Sequence, residues 1–249
     1  MHPAAVVVRG LRRSLRGQRL LDGVDLELQV GARLLLVSRP EASGSLLLRV
    51  LAGLVRPASG SVLLAGLRRA DDSAVGWARR VAYLPPEPGI YPWLSPAEAL
   101  DLSARLAGFD RGERGRRIEA AVVAFRLEAD VDRPISRGGA GVAQKTALAA
   151  ALLTDPEVLL LDEPLRSVVP VERARLLHLP GERRTVLLAS RFPASEAGIV
   201  NQVALLRDGR LAVHASTADL EQRALPLSFQ GIEALAELNA TGLPAALSG

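Results

Sequence analysis

Val158-Leu-Leu-Leu-Asp162-Glu163-Pro164 is the stretch that decides the fold. Four apolar residues without polar alternation, ended by two carboxylates and a proline, describe a strand buried on both faces. Such strands belong to parallel sheets covered by helices, and the acids fall at the strand's C-terminal end. Thr185 to Ala189 reads as the next strand, and Val203 to Leu206 and Leu211 to Val213 flank Asp208-Gly209, a hairpin signal. Towards the N-terminus, Arg33 to Val37 is an apolar run followed by Ser, Pro and Gly residues and then Ser45 to Leu54, which predicts strand, loop and helix. Ser59-Gly60 turns the chain into a strand at Ser61 to Leu64, and Val81 to Leu84 is a short strand closed by Pro85-Pro86. Ser95-Pro-Ala-Glu98 opens a helix running to about Leu106: the serine caps, Pro96 fits the first helical position and Glu98 completes a capping box. A helical region then extends to Leu153, broken by a Gly- and Arg-rich loop from Asp132 to Gly141. The tail beyond Ala224 holds one amphipathic helix near Ile232 to Leu238. Strands alternating with helices, with a helical insert in the middle, predict a mostly parallel α/β sheet.

Composition narrows the function classes. The 249 residues are 49% hydrophobic and 23% charged, in the range of a globular protein. Aromatic residues make up only 3%, so Leu, Val and Ala must fill the core. With no cysteine, disulfides, thiolate chemistry and cysteine-ligated zinc are excluded. The first ten residues lack the layout of a secretion signal. No stretch approaches the roughly 18 uncharged apolar residues of a membrane span, so any membrane role is expected to run through a partner. The net charge of +4 comes almost wholly from arginine, Lys145 being the only lysine, and the arginines are scattered among similar numbers of acids. That pattern fits a solvated surface, and no nucleic-acid partner is expected.

The order of elements from about Val6 to Ala215 resembles the nucleotide-binding subunit of an ABC transporter. The likeness is carried by Leu11 through Val24, Leu51-Ala-Gly-Leu54 with Ser59-Gly60, Tyr83-Leu84-Pro85, Tyr91 to Leu94, Leu159 to Pro164 and Leu205 to Gly209, all in the expected order and spacing. It implies a P-loop NTPase fold of the ABC ATPase type: a mostly parallel core sheet, an N-terminal antiparallel β subdomain and a helical insert at about 87–153. An ABC ATPase-like domain over 1–222 and a C-terminal tail over 223–249 are expected.

The resemblance also shows where the chemical positions depart from the family pattern. A P-loop reads G-x-x-x-x-G-K-[ST], with glycines that let backbone N–H groups curl around phosphates, a lysine for the β and γ charges and a hydroxyl for magnesium. The matching stretch here is Ser38-Arg-Pro-Glu-Ala-Ser-Gly-Ser45. Ser38 and Ser43 replace the glycines, Gly44 stands at the lysine position, Glu41 brings a carboxylate where another glycine is usual, and Ser45 alone fits. By the same resemblance Leu15 falls where an aromatic stacks on adenine, and Pro86 where a glutamine senses the γ-phosphate. The signature that caps ATP held by the opposite subunit falls at Gly138-Gly139-Ala140-Gly141-Val142, or at Ile135 to Gly138 with a three-residue insertion. Val169 replaces an aspartate, and Arg191 a histidine; the arginine is a permanent cation that cannot shuttle protons as histidine does. Asp162 and Glu163 keep the two family carboxylates, one for magnesium together with Ser45 and one to polarise the attacking water. Asp162 also has a purely structural use, as hydrogen-bond acceptor for Ser45 and the loop backbone.

The expectation is therefore a pseudo-ATPase subunit of an ABC transporter, with no cofactor of its own, or ATP and Mg if any. It would pair with an active ABC ATPase paralogue and lie on the inner face of the cell membrane through membrane-spanning subunits. Two alternatives stand beside it: a weakly active Mg-ATPase using Ser45, Asp162 and Glu163, and a soluble regulatory module without a transporter. Tyr91-Pro-Trp-Leu94 and the loop around Pro86 mark the docking groove that the resemblance implies, Tyr and Trp being common interface anchors.

Overall fold

The computed structural model describes residues 4–68, 74–179, 181 and 183–241. In chain order these form β1 (Ala4–Leu15), β2 (Gln18–Gln29), β3 (Arg33–Arg39), α1 (Ala42–Leu51), β4 (Ser59–Leu64), β5 (Leu67–Arg68), α2 (Ala74–Arg80), β6 (Val81–Leu84), α3 (Pro96–Leu106), α4 (Arg111–Phe125) and α5 (Ile135–Leu152). There follow β7 (Val158–Asp162), α6 (Pro170–His178), β8 (Thr185–Ala189), a 3-10 turn at Pro193–Glu196, β9 (Gln202–Arg207), β10 (Arg210–Ser216), α7 (Thr217–Gln222) and α8 (Phe229–Thr241).

Two sheets result. The larger has the order β10-β9-β3-β8-β7-β6 and is parallel except for the β9–β10 hairpin. The smaller is the antiparallel N-terminal sheet β2-β1-β4-β5. Alternation along the central strands explains why they read as continuous apolar runs. Leu34, Leu36, Leu160 and Leu187 point to a core shared with α1 and the N-terminal sheet. Leu35, Val37, Leu159, Leu161 and Leu188 point to the opposite core, built with α3, α5, α6 and α8. Both faces are thus covered, and each fully buried leucine contributes roughly 1.5–3 kcal/mol. At Asp208-Gly209 both residues have positive φ (51° and 78°), the backbone a two-residue hairpin with the strands' own twist demands. Ser95 caps α3 with both halves of the capping box in place.

Four local expectations need correction. The helix after β3 begins at Ala42 rather than Ser45 and ends at Leu51, because the chain is already helical at Glu41 (φ −54°, ψ −36°). Ser59-Gly60 is the first part of β4 rather than a turn before it; Gly60 has φ 94°, and a Cβ there would meet the carbonyls of Arg9 and Gly10 at 2.6 Å. The segment expected to loop from Asp132 to Gly141 is helical from Ile135, with one break at Gly139 (φ 74°, ψ −175°). Glycines disfavour helix by about 1 kcal/mol each, but here packing overrides propensity. Ile135 is buried, its amide bonds to the Leu94 carbonyl at 2.9 Å, and a Cβ on Gly141 would stand 3.1 Å from the Ser167 carbonyl. The C-terminal helix is longer than expected, and Ile232, Leu235 and Ala236 bury themselves in the second core.

Candidate functional site

The C-terminal ends of β3, β7 and β8 meet at a cavity of about 450 Å³. Ser38, Glu41, Ser45, Asp162, Glu163 and Arg191 all line it, so the fold brings together positions more than 150 residues apart in sequence. Pro86 stands at its edge and also lines a neighbouring groove.

The β3–α1 connection is closed on itself. Ser38 Oγ donates to the Glu41 carbonyl (3.1 Å) and accepts from the Gly44 amide (3.1 Å). The Ser43 amide donates to the Pro40 carbonyl (3.0 Å), and the Gly44 amide also reaches the Glu41 carbonyl (3.2 Å). Gly44 packs so tightly here that a Cβ would lie 2.7 Å from Ser38 Oγ. Ser43 is fully buried, and its hydroxyl has no hydrogen-bond partner among the described residues. An unpaired buried hydroxyl of this kind costs about 1–3 kcal/mol.

The two carboxylates differ in their surroundings. Asp162 is 1% exposed at the tip of β7; its Oδ1 accepts from Ser45 Oγ (2.9 Å) and its Oδ2 from the Tyr83 hydroxyl (3.2 Å). Burial pushes the Asp162 carboxyl above its ordinary range against the pull of these bonds, and burial with the neighbouring Asp162 charge pushes the Tyr83 phenol up. Glu163 turns the chain with φ 49° and donates its amide to the Ala189 carbonyl (2.9 Å), fixing β7 to β8. Its Oε1 accepts from the backbone amide of Arg191 (2.9 Å) and from Arg191 Nε (3.1 Å), while Oε2 pairs with Arg166 Nη2 (3.2 Å). Burial raises the Glu163 carboxyl, and the two arginines act against that rise. Arg191 Nη1 reaches across the cavity to Glu41 Oε2 (3.2 Å). Among the described residues no cluster of three or more His, Asp or Glu side chains is placed to hold a metal ion.

The remaining sequence-derived positions lie apart. Leu15 is at the tip of the β1–β2 hairpin, 44% exposed, and does not line the cavity. Val169 precedes α6 and is 69% exposed. Gly139 lies with Pro86, Ile90, Pro92 and Gln144 along the second groove, of about 460 Å³. Gly138 and Gly141 sit on either side of the Gly139 break, in the first turns of α5. Tyr91 and Trp93 are exposed, their rings 5.0 Å apart. Sequence reasoning missed Arg166 and Phe229, and gave Arg39 and Tyr83 no contact in the site. Arg166, three residues after Glu163, was open to detection as a local charge pair; the contacts of Tyr83 with Asp162 and of Phe229 with Arg39 carried no signal, since only the folded chain brings them together.

A parallel sheet whose strand–loop–helix unit faces paired carboxylates on a nearby strand tip is the architecture of the P-loop NTPases. Within that class, the family model described as ABC transporter matches residues 21–166, and the chain belongs to this family. Its relatives include the aliphatic sulfonates import ATP-binding protein SsuB of Corynebacterium glutamicum, 32% identical, with 88% of this chain and 86% of that protein covered. The aliphatic sulfonates import ATP-binding protein SsuB 1 of Frankia alni is 34% identical over 97% of this chain and 87% of its own length. A solved ATP-binding subunit of an ABC transporter superposes with a TM-score of 0.79 at 24% identity, covering 95% of this chain and 98% of that one. That likeness is one of fold. Among the described residues no helix is long and apolar enough to cross a membrane.

Proposed function

We propose that this chain is a catalytically silent nucleotide-binding-domain subunit of an ABC transporter, which docks on membrane-spanning subunits and pairs with an active paralogous ATPase. The observation that carries the reading is the closed β3–α1 connection. A phosphate site at this place needs free loop amides and a cation. Here the Ser43 and Gly44 amides are spent inside the loop, and Gly44 offers no side chain. Glu41 would set a carboxylate beside a triphosphate, and both oxygens of Asp162 are already held by Ser45 and Tyr83. These residues do not fit Mg-ATP. The exposed Tyr91 and Trp93 beside the Pro86 groove support docking on another subunit, which would hold the chain at the inner face of the membrane. The sulfonate-import names of the two relatives favour import as the direction of transport.

The deciding experiment is equilibrium binding of Mg-ATP to the purified chain, alone and with a copurified ATPase partner. The isolated chain is expected to show no binding at millimolar ATP; micromolar affinity overturns the proposal. A second reading draws on the 2.9 Å Ser45–Asp162 bond, which keeps together two groups that the family uses for magnesium. On that reading the chain is a weak Mg-ATPase when its partner closes the site, and Glu163→Gln must lower the turnover of the complex. An unchanged turnover rejects it.

A further inference from the structure

The cavity wall contains three arginines (Arg39, Arg166, Arg191) and three carboxylates (Glu41, Asp162, Glu163), and every one is engaged within the chain. Arg191 serves Glu41 and Glu163 at once, at 3.2 and 3.1 Å. Arg166 holds the other oxygen of Glu163 at 3.2 Å and lies over the Phe192 ring, and Arg39 stacks over Phe229 of α8 at 3.9 Å. Asp162 accepts from Ser45 and Tyr83. The charges balance, and this wall of the cavity satisfies itself.

Arg191 is the member that spans segments. Glu41 stands at the start of α1 after β3, Glu163 at the tip of β7, and Arg191 just past the end of β8. A guanidinium has five N–H groups in a planar fork, so one arginine can serve two carboxylates on different segments; a lysine ammonium is a point charge without that planar reach. We propose that Glu41–Arg191–Glu163 is an internal ion-pair latch that ties the β3–α1 connection to the tips of β7 and β8, holding it in one position with no ligand in the cavity. The latch rests on the reading of this cavity as one that does not recruit ATP. Its two halves differ in strength. Glu163 is 12% exposed and well shielded, whereas Glu41 and Arg191 are 63% and 45% exposed, so that contact is modest and salt-sensitive.

The test is amide hydrogen exchange on the nucleotide-free full chain, read at residues Ser43 to Leu47, for the wild type, Glu41→Gln, Arg191→Gln and the double variant. Because no nucleotide is present, its failure is distinct from a failure of the ATP-binding titration. Glu41→Gln is expected to speed exchange about two- to fivefold, and to add nothing once Arg191 is Gln. Equal acceleration by Glu41→Gln in both backgrounds, or none in either, overturns the latch. If Arg191→Gln does not fold, salt provides the second measurement. Raising ionic strength to about 0.5 M is expected to speed exchange in the wild type and leave Glu41→Gln unchanged; an equal salt response in the two overturns it as well.

Discussion

Gly44→Ala is expected to change the sign of its effect on stability with the identity of residue 38. In the native chain an added Cβ would meet Ser38 Oγ at 2.7 Å, while Ser38 Cβ at 3.5 Å and Ala189 Cβ at 3.8 Å are ordinary neighbours. The hydroxyl must therefore move, breaking its bonds to the Glu41 carbonyl and the Gly44 amide. Two such bonds are worth about 0.5–1.5 kcal/mol each. Replacing glycine by alanine inside a helix returns about 0.8–1 kcal/mol. The balance is a loss of roughly 0–2 kcal/mol, centred near 1. With Ser38→Ala already in place the two bonds are gone, the contact is relieved, and only the helix gain remains. Gly44→Ala should then stabilise by about 1 kcal/mol, a coupling near 2 kcal/mol between the sites. Thermal and urea unfolding of the four proteins measures the cycle; at this chain length 1 kcal/mol corresponds to about 2–4 °C in Tm. Equal effects of Gly44→Ala in both backgrounds would refute the closed connection from which the argument starts.

Ser43→Ala should stabilise the protein by about 1 kcal/mol, since it removes a fully buried hydroxyl that has no partner among the described residues; a loss of Tm contradicts this. Glu163→Gln should change how stability depends on pH. The folded-state carboxyl of Glu163 is raised above its ordinary 4.5, so the folded chain holds this proton more tightly than the unfolded one. Its contribution therefore improves as pH falls through the raised value towards 4.5 and worsens as pH rises. Between pH 7 and pH 5 the wild type should gain Tm relative to Glu163→Gln, and a relative loss refutes the assignment.

The main features of the fold were open to reading because its strands are extreme cases. Val158–Asp162 and Thr185–Ala189 are buried at every position, on both faces, and such runs have no polar alternation to confuse the reading. Ser95, Pro96 and Glu98 form a complete helix start in adjacent residues, so a local rule suffices. The misread segments are those where a distant group decides. Glycines from Gly138 to Gly141 argue for a loop by propensity, and only the Ser167 carbonyl, from the far side of β7, shows that Gly141 is small because it is packed. The early start of α1 has the same origin: Ser38, read as a lost glycine, is the group that bonds to Gly44 and draws the chain into helix before Ser45.

The site divides along the same line. A sequence position can reveal a residue type that departs from a pattern, but not the partner that makes the departure tolerable. Glu41 and Arg191 each stand out when read singly, one as an intrusive acid and the other as an arginine where the resemblance implies a histidine. Their pairing across 150 residues is invisible without the β3–β8 register, which sets the Leu36 and Ala189 ends side by side. In that register, the glutamate at the head of α1 and the arginine past β8 face one another over Glu163. A glycine at 41 would leave Arg191 held by Glu163 alone, whereas a histidine at 191 would leave Glu163 with Arg166 and take from Glu41 the guanidinium it meets at 3.2 Å.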